Sequence, residues 1–229
     1  MSNAIVITVD GPGGAGKGEL TRRLASALDF ELLDSGAIYR VLAYAVRKAG
    51  LALFDEDSVL QEAKLLDLHF ETTDTGVAVY LGSEDVTSAI RTEEAGVNAS
   101  KVAAISSVRA ALLQRQRNFL REPGLVADGR DMGTIVFPKA QVKIFLDAAA
   151  SVRAQRRVQQ LKQSGKAADY AAILKEIEER DERDRNREVA PLKPADDAVI
   201  IDSSNLSIEE VFKTAAQIIK ERTGLDCEL

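Results

Sequence analysis

Ile5-Val6-Ile7-Thr8-Val9 is a short β-branched run that closes on Asp10 and a cluster of glycines. An apolar run of this length, bounded by turn residues, predicts a strand buried on both faces of a parallel sheet. From Gly16 to Leu28 the apolar positions Leu20, Leu24, Ala25 and Leu28 return at helical spacing, and Phe30 to Leu33 predicts a second short strand. Further short strands are expected at Leu125 to Asp128, Val142 to Leu146 and Ala198 to Ile201. Between them, segments such as Val102 to Arg121 and Ser151 to Gln163 carry helical periodicity. Alternating strands and helices predict right-handed crossovers, and therefore an α/β fold with a parallel sheet of about five strands flanked by helices.

Between Asp67 and Glu94 the period changes. Leu68 to Glu71, Gly76 to Leu81 and Glu84 to Thr87 alternate, with turns expected at Thr72 to Thr75 and at Gly82-Ser83. This predicts a small antiparallel β meander, inserted into the αβ pattern rather than continuing it. Gly165 lies among small and polar residues at Gln163 to Ala168 and predicts a mobile connection between two helices, the second ended by Pro191 and Pro194.

Composition narrows the function classes. The chain has 229 residues, and 30 Lys plus Arg against 36 Asp plus Glu leave a net charge of −6. That balance opposes a protein that coats nucleic acid or an anionic membrane, so any polyanion site should be a pocket. The single cysteine, Cys227, rules out an intrachain disulfide and a thiolate zinc cluster. The single histidine, His69, excludes any scheme that needs two imidazoles and is expected on a half-buried strand with a structural role. The apolar stretch Ile5 to Val9 is too short for a signal sequence, and no stretch approaches a membrane span, so a cytoplasmic location is expected.

The chemistry begins where the first strand ends. Gly11-Pro12-Gly13-Gly14-Ala15-Gly16-Lys17 fits a phosphate-binding loop and sits between a buried strand and a helix, as that loop must. Its backbone N–H groups can converge on an anion, the helix N-terminus adds partial positive charge, and Lys17 supplies a point charge for the β and γ phosphates. The next position, normally Ser or Thr for Mg²⁺, is Gly18, followed by Glu19. Ser35 and Arg40 follow the second expected strand, and Arg130 and Asp131 follow the third. All four should emerge at the carboxyl ends of strands, where open α/β sheets bind ligands. At about 100° per residue, Arg180, Arg183, Asp184 and Arg187 share one helix face, and Arg153, Arg156 and Arg157 repeat the arrangement on the preceding helix. The bland alternative is a solvated helix laced by Glu176–Arg180, Glu179–Arg183 and Asp181–Arg185 pairs. Asp128, at a strand end, is the best acidic residue to orient Mg²⁺ waters, a buried hydrogen-bonding role being the alternative.

Gly-x-x-Gly-x-Gly-Lys-Gly is how nucleoside monophosphate kinases write this loop. Asp34-Ser35-Gly36-Ala37-Ile38-Tyr39-Arg40, Asp128-Gly129-Arg130-Asp131-Met132-Gly133-Thr134 and Arg180 to Arg187 further resemble the bacterial cytidylate kinases. One departure stands out: that family usually has Thr where this chain has Glu19. The resemblance implies transfer of the γ-phosphoryl group of ATP, with Mg²⁺, to CMP or dCMP; a monomer is expected, although sequence does not fix oligomeric state. It implies an ATP site formed by Gly11, Pro12, Gly13, Gly14, Ala15, Gly16, Lys17, Gly18 and Glu19 with Arg153, Arg156 and Arg157. Ser100, Arg109 and Asp131 would read the cytosine edge; Ser35, Arg40, Arg130 and Arg187 would hold the CMP phosphate; Arg180 and Asp184 would reach the sugar. Lys17, Arg130, Arg157, Arg180 and Arg187 would neutralise the migrating group. It also implies a core of residues 1–66, 95–150 and 188–229, an acceptor-domain insertion of 67–94 and a lid of 151–187. An adenylate-type or other small-molecule kinase is the second reading. A GTPase-like switch is a third, but the Asn-Lys-x-Asp sequence that reads guanine is absent.

Overall fold

The computed structural model describes residues 4–73 and 76–227. They form two compact units, residues 34–116 and the remainder on either side of that segment.

The first unit is built on a five-stranded sheet of β1 (Ile5–Asp10), β2 (Glu31–Asp34), β6 (Gly124–Gly129), β7 (Val142–Asp147) and β8 (Val199–Asp202), in the order β2-β6-β1-β7-β8. It is the parallel sheet the sequence predicts, with β1 paired in parallel to β6 and β7, and β7 to β8. Period two along β1 sends Ile7 and Val9 to one face, where they are buried with Leu20 and Leu24 of α1 (Lys17–Leu28) and with Val211, Phe212 and Ile219 of α9 (Ile208–Thr223). Thr8 and Asp10 consequently fall on the opposite face. There, Thr8 lies against Gly133 in a π-helical turn, Met132–Val136. A Cβ on Gly133 would lie 2.9 Å from the Thr8 hydroxyl, so the turn sits directly on β1. Helices α7 (Ala150–Gln163) and α8 (Tyr170–Arg185) pack against each other.

The second unit contains α2 (Ser35–Lys48), α3 (Glu56–Leu65), the antiparallel sheet β3 (Leu68–Thr73), β4 (Gly76–Leu81) and β5 (Glu84–Asp85), then α4 (Thr87–Ile90), α5 (Glu93–Val102) and most of α6 (Ser106–Arg117). Asp34 caps α2 by accepting the Ala37 N–H at 3.0 Å. The expected meander is present with different edges. Thr72 and Thr73 extend β3, residues 74 and 75 of the expected turn lie outside the described residues, and Thr87 opens a helix instead of ending a strand. His69 is exposed, not half-buried, and stacks on Tyr80 at 4.9 Å.

Two helix expectations also change. The expected helix at 102–121 is divided, α5 ending at Val102 and α6 beginning at Ser106. Val102, Ile105 and Val108 are buried across the break, so the apolar spacing runs through it and hides it. Helix α8 ends at Arg185, well before the prolines, with Asn186 as its cap; Arg187 lies beyond the helix.

Gly124 opens β6 where an added Cβ would lie 2.3 Å from the Phe30 ring. Gly124→Ala should lower stability by about 1–3 kcal/mol in urea unfolding, and Phe30→Ala in the same chain should recover part of that loss. Fully additive costs would show that the ring is not the obstacle.

Candidate active site

The loop after β1 depends on backbone that only glycine adopts. Gly11 has φ +148°, and a Cβ there would lie 2.0 Å from the Leu146 carbonyl oxygen at the end of β7. Gly16, at φ 102°, caps α1 and aims the first N–H groups of the helix into the loop. Lys17, the first residue of α1, is 5% exposed. Its Nζ donates to the Pro12 carbonyl at 2.9 Å and lies 3.8 Å from Asp128 Oδ1, so the ammonium is folded back over the loop. Burial, and after it the Arg130 guanidinium, pulls its pKa down to about 8.

Two guanidinium groups overhang the same loop. A Cβ on Gly13 would meet Arg180 Nη1 at 3.1 Å and Arg130 Nη2 at 3.3 Å. Arg130 Nε donates to Asp184 Oδ2 at 3.0 Å. Burial alone would raise the Asp184 carboxyl, but Arg130, Arg180 and Arg187 hold it below the usual carboxylate range. Arg180 and Asp184, on one face of α8, are thus brought together with Arg130 and Lys17.

The arginines of α7 have distinct roles. Arg153, 3% exposed, donates to the carbonyls of Ala148 and Gly13, each at 2.9 Å, and forms a two-pronged pair with buried Asp181 of α8. It is a strut between loop and helix, and it takes the carboxylate that the sequence would pair with Arg185. Arg156 donates to the Ser203 carbonyl at 2.6 Å, and the Ser203 hydroxyl donates to the Ala15 carbonyl at 3.1 Å. Arg157 reaches Gln160 at 3.4 Å.

Asp131 is 3% exposed and occupies the N-cap of the π-helical turn, yet its side chain makes no capping bond. The turn is capped from β1: the N–H groups of Met132 and Gly133 donate to Oδ1 and Oδ2 of Asp10, each at 2.8 Å. Asp10 has no signature in the sequence, because its partners are backbone groups far along the chain.

In the second unit, Ser35 and Ser100 are buried. Arg40 donates to the carbonyls of Ile90 and Thr92, at 2.7 and 3.1 Å. Arg109 donates to the Ala103 carbonyl at 3.3 Å and lies over the Tyr39 ring at 5.7 Å.

Beside Lys17, Asp128 offers a carboxylate, and a Cβ on Gly18 would lie 3.8 Å from its Oδ2. No group of three or more potential metal-ligating side chains exists among the described residues. One carboxylate suits Mg²⁺ that keeps its waters and is carried by phosphate, not a cage of protein ligands. A cleft of about 760 Å³ shares Arg153 and Asp181, but Asp147, Glu178, Glu182 and Asp202 also line it. Its acidic lining opposes polyphosphate.

Glu19 points along its own helix. It accepts from Arg22 Nη2 at 2.8 Å and from Arg23 Nε at 2.7 Å, and Arg23 also reaches Glu209 of α9 at 3.2 Å. The hydrogen bond from Arg22, with help from Arg23, holds its carboxyl below the usual range. Because the carboxylate is turned away onto these cations, Glu19→Thr should change the ATP KM by less than about threefold and leave the Mg²⁺ dependence of the rate unaltered. A large shift in apparent Mg²⁺ affinity would place Glu19 in the metal's hydration shell.

Residues 7–221 match the sequence model described as cytidylate kinase. The cytidylate kinase of Pasteurella multocida is 57% identical over 98% of this chain and 99% of its own. That of Photobacterium profundum is 56% identical over 96% of each chain, and that of Salmonella choleraesuis is 54% identical over 97% and 98%. Glycine-lysine loop, overhanging guanidinium groups and near full-length identity therefore lead to one conclusion: the chain belongs to the cytidylate kinase family.

Proposed function

We propose that the cations gathered on the loop of the first unit hold the phosphates of ATP while its γ-phosphoryl group passes to CMP or dCMP, giving ADP and CDP or dCDP. The observation that carries this reading is the convergence of Lys17, Arg130 and Arg180 on the backbone at Gly13. An acceptor phosphate oxygen bonds to the γ phosphorus as the bond to the bridging β–γ oxygen breaks, and the charge on the migrating group is met by fixed cations. No nucleophilic side chain is needed for such a transfer, which agrees with a single exposed histidine and one cysteine near the C-terminus.

The residues divide the work as follows. The backbone from Gly11 to Gly18 and the Lys17 ammonium bind the ATP phosphates, and Arg157 approaches them from α7. Mg²⁺ arriving with ATP supplies charge neutralisation, and Asp128 would hold its waters. Arg130, Arg180 and Arg187 serve the acceptor phosphate and the migrating group. Asp184 orients Arg130 and takes a sugar hydroxyl. Helices α7 and α8 act as a lid that excludes water. Because Arg153 and Arg156 are held by protein partners, they stiffen the loop and the base of that lid. Ser35, Arg40, Ser100 and Arg109 of the second unit supply the hydroxyl and guanidinium donors that a nucleoside monophosphate takes.

Base choice follows from donor and acceptor chemistry. Cytosine presents an N4 amine, which donates, whereas uracil presents a carbonyl oxygen at that position. The acceptor-only carboxylate of Asp131 favours cytosine. In an ADP-release assay across CMP, dCMP, UMP and AMP, CMP and dCMP should be consumed fastest. Asp131→Asn should lower kcat/KM for CMP by at least about tenfold and reduce the CMP-to-UMP ratio. Preferred consumption of AMP would favour the adenylate-type reading, and an unchanged ratio would remove Asp131 from base recognition.

A further inference from the structure

The peptide between Gly13 and Gly14 is a weak link in the phosphate loop, because neither residue carries a Cβ to resist its rotation. A flip would exchange the Gly14 N–H for the Gly13 carbonyl oxygen, which repels polyphosphate. Arg180 Nη1 and Arg130 Nη2, at 3.1 and 3.3 Å from where a Gly13 Cβ would stand, are donors that compete for that carbonyl. Arg153 opposes them, its Nη1 donating to the Gly13 carbonyl at 2.9 Å. We propose that Arg153 is a positioning residue for the donor nucleotide: it keeps the Gly13 carbonyl turned away from the phosphates, so that the Gly14 N–H can donate to them, and Asp181 locks it there. The proposal rests on the loop binding the ATP phosphates.

Arg153 lies near the start of α7, just after β7, and its Nε donates to the Ala148 carbonyl at 2.9 Å, which anchors the guanidinium beside the strand end. Its stem packs against Gly14, where an added Cβ would lie 3.6 Å from the Arg153 Cβ. A trans peptide holds its C=O and N–H on opposite sides, and the one cis bond among the described residues is Glu122–Pro123. With its oxygen on Arg153, the Gly13–Gly14 peptide therefore turns its N–H away from that side chain. Gly14 is exposed at φ +82°, and no backbone carbonyl among the described residues accepts its N–H. Asp181 completes the clamp with one carboxylate oxygen on each Nη, and the two side chains are buried, at 3% exposure for Arg153 and 5% for Asp181. Because Nε, Nη1 and Nη2 are all engaged by protein, Arg153 acts through the loop and not on the nucleotide.

Replacing a buried ion pair by apolar side chains leaves no unpaired charge, so Arg153→Met/Asp181→Leu should fold with a urea midpoint near that of the wild type. Calorimetry should nevertheless show its Kd for a non-hydrolysable ATP analogue raised at least about fivefold, while the Kd for CMP changes less than about threefold. Arg153→Lys keeps a charge opposite Asp181 but lacks the fork that spans the Ala148, Gly13 and Asp181 acceptors, and it gives the same reading if the double variant does not fold. Asp181→Asn leaves the Arg153 guanidinium in place with a weakened clamp and should raise the analogue Kd at least about threefold. Unchanged analogue affinity in the folded double variant would make the pair merely structural, and equal weakening for both ligands would make its effect general; either result overturns the proposal. So does an Asp181→Asn variant that binds the analogue as well as the wild type, because Arg153 would then act without its clamp, as a direct ligand of ATP. Lys17→Met keeps the two failures apart. If it binds the analogue undiminished, the loop is not the phosphate site and the proposed function falls together with the proposal; if it binds weakly while the Arg153 variants do not, only the proposal falls.

Discussion

The site is governed by the burial of Lys17 and by its repulsion from neighbouring guanidinium groups. Lys17, Arg130 and Arg180 converge on a few ångströms of loop backbone, and Lys17 is almost wholly removed from water. Taking like charges out of solvent costs several kcal/mol per ion unless carboxylates or hydrogen bonds offset it. The fold provides that compensation with Asp184 on Arg130, Asp181 on Arg153 and Asp128 near Lys17. The compensation is incomplete at Lys17, whose pKa falls to about 8. On the proposed function, a bound polyphosphate would supply what is missing, and the same positive field would meet the negative charge that spreads over the migrating group.

Much of the remaining architecture keeps that field in place. β1 delivers the loop at Gly11, β6 delivers Arg130 and Asp131 beside it, and α8 returns Arg180, Asp181 and Asp184 on one face. Arg153 joins loop, α7 and α8 through a single buried guanidinium. Losing either partner of such a pair leaves an uncompensated charge, which explains why a strut can matter as much as a residue that touches substrate. Asp10 does for the turn after β6 what Arg153 does for the phosphate loop: both fix backbone.

The phosphate loop was legible from sequence because its chemistry is local: strand, glycines, lysine and helix are contiguous. The strands were legible for the same reason, since β1 and β7 announce themselves as short apolar runs. The break between α5 and α6 was not, because Val102, Ile105 and Val108 continue the apolar spacing across it. Helical extrapolation kept Arg187 on the face of Arg180 although the helix stops two residues before it. Arg153 looked like a ligand of phosphate because its residue type and spacing suit one. Its three partners, two carbonyls and a carboxylate on another helix, become visible only in three dimensions. Asp10 was the least legible, because its partners are N–H groups that every non-proline residue carries.

Proton uptake on nucleotide binding tests the charge account most directly. With its pKa pulled down to about 8, the Lys17 amine should be partly deprotonated near pH 8 in the unliganded enzyme, and a bound polyphosphate should restore the full charge. Calorimetric titration with a non-hydrolysable ATP analogue, in buffers of different ionisation enthalpy, should then report a fractional proton uptake at pH 8. The uptake should fade towards pH 6, where Lys17 is already charged, and should be absent in Lys17→Met. A binding enthalpy independent of buffer at pH 8 would contradict the account, because Lys17 would then carry its full charge without the nucleotide.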